Sequence, residues 1–245
     1  MQSPAWSEVT AIFGGRMDPP HLGHREAVAG ILRNPGVRNV LIIPSASPPH
    51  KPAQASAQQR TQMARLAFGP SLQHRIPEAS QKLIQVNEIE LKRSQKDPDR
   101  ASYSFDTLQE LRSQYPRLAF VLGADQFQDL PAWHRFPEIL SLCHWIVLQR
   151  KPNGSDLAQK TLQLLSASGL IEPVRTDLWK VRNSTAVIHS VATDAPDLSS
   201  TQIRREIMIH GAPPPSSLLP EVEAYLKIQQ LYGIGTPHDS RTNRE

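Results

Sequence analysis

Chemistry is densest in one short stretch, Gly14-Gly15-Arg16-Met17-Asp18-Pro19-Pro20-His21-Leu22-Gly23-His24. Two glycines directly after an apolar run let the backbone turn sharply and approach a ligand with its amides exposed. A helix is expected to open at His21, and the unpaired amides of its first turn attract phosphate. His21 and His24 are three apart, which places both imidazoles on one face of that turn. Gly23 between them leaves room for a flat base or a triphosphate to lie close. The competing readings are a pair of surface histidines or two ligands of a metal ion. A zinc site needs further ligands, and no protein metal site is expected.

A second stretch of similar character is Ser199-Ser200-Thr201-Gln202-Ile203-Arg204. Small hydroxyl residues opening a helix leave its amides available and add donors, making another phosphate cradle. Arg204, one turn in, can bring its planar fork to the same anion; read alone, the stretch is also an ordinary cap followed by a surface arginine. In Ser45-Ala46-Ser47-Pro48-Pro49-His50-Lys51, two prolines stiffen a loop that delivers the Lys51 charge with less entropy loss. An ordinary exposed lysine is the alternative there. Asp125 follows an apolar run and a glycine, where a carboxylate either accepts ribose hydroxyls or caps the next helix. Trp133, in a proline-containing loop, either stacks on a heteroaromatic ring or seals the loop onto the core.

These groups need a scaffold, and the apolar patterning supplies one. Strands are expected at 9–13, 39–43, 83–91, 118–122, 145–148 and 188–191, several of them nearly continuous apolar runs, as strands buried on both faces are. Helices are expected at about 21–32, 57–68, 105–114 (with Ser104 as N-cap), 156–166, 200–210 and 221–231, plus a short one from Pro137. The stretch 170–184 is ambiguous. This alternation predicts an α/β fold, Rossmann-like and doubly wound, with a mainly parallel sheet and C-terminal helices. Ligands bind such sheets beyond the carboxyl ends of the strands, which is where the loops 14–24, 45–51 and 123–133 fall. A single domain is expected over 1–235, with 150–186 as an insertion or lid and 236–245 as a disordered tail.

The whole composition agrees with that scaffold. In 245 residues, 39% are hydrophobic, enough for a real core, and 22 prolines against 12 glycines point to many loops. The formal charge of +4 suits a binder of anions. The densest basic group, Lys92, Arg93, Lys96 and Arg100, is interrupted by Asp97 and Asp99 and reads as a solvated mixed-charge face; no nucleic-acid partner is expected. The single cysteine, Cys143, lies in an apolar stretch and reads as a buried structural thiol. No apolar run is long enough to span a membrane, the first residues lack the order of a signal peptide, and a cytoplasmic location is expected. Nothing in the pattern sets an oligomeric state.

The segment Gly14-Gly15-x-x-Asp18-Pro19-x-His21-x-Gly23-His24 resembles the phosphate-binding signature of the nucleotidyltransferase superfamily of adenylyl- and cytidylyltransferases. Further segments, in order, resemble bacterial nicotinate-nucleotide adenylyltransferases: Pro48-Pro49-His50-Lys51, Ser102-Tyr103-Ser104, Gly123-Ala124-Asp125, Pro131-Ala132-Trp133, Leu198-Ser199-Ser200-Thr201-x-Ile203-Arg204 and Leu231-Tyr232. The resemblance implies adenylyl transfer from ATP to nicotinate mononucleotide. It implies His21, His24, Lys51 and Arg204 as the catalytic cations or donors. Gly14, Gly15, Asp125, Ser199, Ser200 and Thr201 would bind ATP; Ser104, Trp133, Lys51 and His50 would bind the nicotinate nucleotide. Mg2+ would arrive on the ATP phosphates without a protein cage. The alternatives are an adenylyltransferase for nicotinamide mononucleotide or phosphopantetheine, or a non-catalytic nucleotide-binding relative. Arg16 and Met17 replace the threonine and phenylalanine usual in the family. Arg16 then either supplies a charge in place of the lost hydroxyl or points to solvent.

Overall fold

A computed structural model describes residues 8–34, 36–49, 53–69, 72, 82–150 and 154–235. Its strands are β1 (Val9–Gly15), β2 (Val37–Pro44), β3 (Leu83–Val86), β4 (Leu118–Gly123), β5 (His144–Arg150), β6 (Ile171–Arg175), β7 (Leu178–Val181) and β8 (Val187–Thr193). The α-helices among the described residues are α1 (Leu22–Leu32), α2 (Ala57–Phe68), α3 (Ile89–Lys96), α4 (Ser104–Leu111), α5 (Ala124–Gln128), α6 (Gly154–Ala167), α7 (Ser200–His210) and α8 (Pro220–Ile228).

The strands form one sheet in the order β3-β2-β1-β4-β5-β8-β7-β6. Pairing is parallel from β3 through β8. Side chains alternate between two cores, as the period of a strand requires. Ala11 and Phe13 of β1, Val40 and Ile42 of β2, and Val121 of β4 face the core closed by α1, α2, α7 and α8. Ile12, Leu41, Phe120 and Trp145 face the opposite core, closed by α4, α5 and α6. Burial on both faces explains the unbroken apolar runs. The order of the strands reverses between β1 and β4, and at that switch the loops after them splay apart and open a crevice.

Two expectations need correction, and one open stretch is resolved. The stretch 83–91 is not one strand: β3 stops at Val86, and Asn87 Oδ1 accepts the Ile89 N–H at 2.9 Å, turning the chain into α3. Ser104 does not cap its helix. Tyr103 holds the extended cap position, and Ser104 is the first helical residue. The reason lies one step back, where Ser102 N–H donates to Ser47 O at 2.8 Å and keeps the approach to α4 extended. The ambiguous stretch 170–184 is an antiparallel hairpin, β6–β7, added to β8 at the edge of the sheet. The expected tail, 236–245, lies outside the described residues.

Candidate active site

β1 keeps its extended pairing through Gly14 and Gly15, opposite Ile43 and Pro44 of β2, so the glycines themselves do not turn the chain. The turn comes at Met17, a buried residue in the left-handed region at φ 56°. Beyond it, His21 caps α1 in a reciprocal arrangement. The His24 N–H donates to His21 Nδ1 and the His21 N–H donates to His24 Nδ1, both at 3.3 Å. The two rings stack with centroids 3.6 Å apart and 20° between planes. Because each Nδ1 accepts, the neutral tautomer carries its proton on Nε2, so each ring offers an N–H donor. Histidine thus does here what serine and glutamate do in a capping box.

Gly23 has a different reason from the one expected. A Cβ there would stand 2.7 Å from Pro196 O and 3.0 Å from His21 Nδ1. The missing side chain lets the first turn of α1 press against the segment leading into α7, and little space is left over it.

These residues line a cleft of about 420 Å³ at the switch between β1 and β4. One wall carries Gly14, Gly15, His21 and His24; the other carries Ser199, Ser200 and Thr201 at the start of α7, with Asp125 at the rim. Asp125 does not cap α5, whose cap is Gly123; it is exposed in the first turn of that helix. Arg16 also lines the cleft. The Ser200 hydroxyl donates to Pro19 O at 2.9 Å, tying the two walls together. Stacked imidazoles with N–H donors facing a helix N-terminus make a site for a polyanion.

Behind the cleft lies a buried polar network, of which the sequence singled out Arg204 but not Arg60 or Glu90. Asp18 is fully buried and its carboxylate accepts the Gln54 N–H at 3.0 Å, the Ala55 N–H at 3.1 Å and the Tyr232 hydroxyl at 2.7 Å. Arg204 Nη1 donates to Asp18 O at 2.6 Å and stands 3.6 Å from Asp18 Oδ2. Arg204 therefore lies behind the α7 wall rather than in the cleft lining. Arg60, buried in α2, donates to Ala55 O at 3.1 Å, Arg16 O at 2.9 Å, Ala46 O at 2.7 Å and also to Ser45 O. Burial pulls its guanidinium below the usual arginine range, with Asp18 opposing. Glu90, buried in α3, accepts from Thr107 Oγ1 at 2.8 Å and from the Ala46 N–H at 3.4 Å. Burial pushes its carboxyl up, against the pull of Thr107. Arg60 and Glu90 thus grip the loop after β2 from opposite sides.

The cytidylyltransferase-like family matches residues 12–206. A relative from Yersinia enterocolitica, named a probable nicotinate-nucleotide adenylyltransferase, is 32% identical over 228 residues, covering 91% of this chain and 94% of its own. The chain belongs to that family. A second member, from Sodalis glossinidius and bearing the same name, is 32% identical over 239 residues, covering 91% of this chain and 97% of its own. The fold is shared with the Plasmodium falciparum nicotinic acid mononucleotide adenylyltransferase complexed with NaAD. That structure has a TM-score of 0.67 and 14% identity, covering 93% of this chain and 98% of that one. The chain is a nucleotidyltransferase with the α/β architecture of its family.

Of the residues that the family resemblance assigns to the acceptor nucleotide, the two described ones, Ser104 and Trp133, are not among those lining the cleft. His50 and Lys51 lie outside the described residues. Ser104 opens α4 beside the Ser47–Ser102 pairing, next to the loop after β2. Trp133 is half-buried and packs edge-on against Phe120 and Trp145, with centroids 5.8 and 6.3 Å away. This packing holds its loop against the core and leaves part of the indole exposed. Its link to the cleft is Phe120, whose ring is 3.3 Å from where a Gly14 Cβ would stand.

Proposed function

We propose that the chain moves the adenylyl group of ATP to nicotinate mononucleotide, giving nicotinate adenine dinucleotide and pyrophosphate. The observation that carries this reading is the pairing of the stacked His21 and His24 with the N-terminus of α7 across one cleft at the switch point. The names of the relatives at 32% identity, and the NaAD-bound neighbour, support the choice of acceptor.

An oxygen of the acceptor's 5′-phosphate attacks the α-phosphorus. The bond from that phosphorus to the bridging oxygen breaks, and its electron pair leaves on pyrophosphate. The nucleophile is already an anion, so no general base is needed. Catalysis is positioning plus neutralisation of developing charge. His21 and His24 donate to the α-phosphate and the leaving group, and the amides of Ser200 and Thr201 hold the β- and γ-phosphates with Arg204. Lys51 and His50 meet the acceptor phosphate, Ser104 its carboxylate, and Trp133 stacks on the pyridine. Asp125 accepts ribose hydroxyls. Mg2+ enters as part of MgATP. Among the described lining residues the carboxylates are Asp125 and Asp197, a set that fits a hydrated ion on phosphates rather than a caged one.

The test is pyrophosphate release from MgATP with nicotinate mononucleotide, run beside nicotinamide mononucleotide and phosphopantetheine. Release is expected to be fastest with the nicotinate acceptor. Faster release with either of the others, or none with any, rejects the proposal.

A further inference from the structure

After α8 the chain makes a tight turn in which Gln230 and Tyr232 both sit in the left-handed region, at φ 50° and 60°. Side chains rarely adopt that conformation, and it persists only where surroundings enforce it. Two contacts enforce it here. The Gly235 N–H donates to the carbonyl of Gly211, the residue that caps α7, at 2.8 Å. The Tyr232 hydroxyl reaches Asp18 Oδ1 at 2.7 Å. A turn more than two hundred residues away in sequence is thereby bolted to the loop that carries His21.

Asp18 is the shared partner of Tyr232 and Arg204. Its carboxylate already accepts three hydrogen bonds, from Gln54, Ala55 and Tyr232. Arg204 Nη1 donates to the Asp18 carbonyl at 2.6 Å and stands 3.6 Å from Oδ2, the carboxylate oxygen that Tyr232 leaves alone. The guanidinium is thus anchored on the residue that the Tyr232 hydroxyl fixes. Burial and the Asp18 bond both push the Tyr232 phenol up, so it remains a protonated donor.

We propose that Tyr232 is a positioning residue for adenylyl transfer: by fixing Asp18, whose carbonyl anchors Arg204, it sets where the guanidinium meets the phosphates of ATP. The inference rests on the adenylyltransferase reading above and on Arg204 meeting ATP. It assigns to the C-terminal turn a share in binding one substrate and not the other.

The variant Tyr232→Phe deletes the hydroxyl alone. Its affinity for a non-hydrolysable ATP analogue, measured by calorimetry without acceptor, is expected to fall about five- to tenfold, the worth of one hydrogen bond. The KM for ATP should rise in parallel, while the KM for the acceptor moves less than about twofold. Tyr225→Phe, on α8 and packed against the core edge, should change neither. A merely structural role would lower kcat and Tm with both KM values unmoved, and that result overturns the proposal, as does unchanged analogue affinity. If the wild type binds the analogue but fails to adenylylate nicotinate mononucleotide, the activity reading falls, and the analogue affinities still decide for or against Tyr232. A wild type that does not bind the analogue overturns both.

Discussion

At the scale of single residues, His21 and His24 each carry two duties. Their Nδ1 atoms close the first turn of α1, and both residues line the cleft wall, where the proposed mechanism uses their Nε2–H groups as donors. Replacing His24 by alanine therefore removes one half of a helix cap and, on the proposed mechanism, a donor to the transition state. Loss of one such preorganised donor slows turnover by about 100-fold or more, whereas loss of a cap costs about 1 kcal/mol. His24→Ala is expected to show that kinetic defect in the pyrophosphate assay with a small change in Tm; near-normal turnover would remove His24 from the mechanism. Gly23→Ala makes a sharper test of geometry. Its new Cβ meets the Pro196 carbonyl at 2.7 Å, and backbone has to give. A displacement of His24 by about 1 Å relative to α7 suffices for a loss on the order of 100-fold. Full activity in Gly23→Ala would mean the close approach of α1 to Pro196 is incidental.

At the scale of elements, the central strands β1, β2, β4 and β5 were legible because they are buried on both faces, and the longer helices because each keeps a regular apolar face. The hairpin β6–β7 was not, since β6 is an edge strand with one buried residue in five and no alternating pattern to read. Helix α3 was hidden by a turn whose deciding contact, Asn87 to Ile89, is a side chain acting on its own backbone. The cleft residues were legible from their motifs, and so were Asp18, Arg204 and Tyr232 behind them, but Arg60 and Glu90 were not. Arg60 did leave a trace. In α2 it stands in register with the buried Met63, Ala64 and Ala67, a charge at a core position of an amphipathic helix. Such a charge is retained only where partners satisfy it, and here they are backbone carbonyls of the loops after β1 and β2. Arg60→Met keeps the volume and leaves those carbonyls unpaired, at about 1–3 kcal/mol each where burial is complete. The expected result is a fall in Tm of roughly 10 °C, at about 2–4 °C per kcal/mol for a chain of this size, read by differential scanning calorimetry. A change within about 2 °C would show that water replaces the guanidinium at no loss.

At the scale of the whole molecule, the +4 excess is met without a nucleic acid, because both proposed substrates are anionic. The basic group 92–100 is half neutralised, by Arg93 with Glu110 and Arg100 with Asp106, and Cys143 is inert, its buried thiol pushed up to about 12. The titration with the widest structural reach is that of His144, at the start of β5. Its Nδ1 accepts the Val187 N–H at 3.2 Å, joining β5 to β8, the last parallel pair before the hairpin. Burial, and then Arg117, lower its pKa from the ordinary 6.5. A depressed folded pKa means that below about 6.5 the unfolded chain binds a proton the folded one refuses. The stability that neutral His144 contributes is therefore complete above about pH 6.5 and is lost as the pH falls towards the folded value. His144→Gln preserves an acceptor for Val187 and cannot titrate. Between about pH 7 and pH 5 the Tm of the wild type should fall more steeply than that of the glutamine variant. The difference between the two curves isolates this residue from Glu90 and Asp177, which titrate alike in both proteins. Parallel curves would mean that the joint between β5 and β8 tolerates a charged imidazole, and that acid acts on the fold elsewhere.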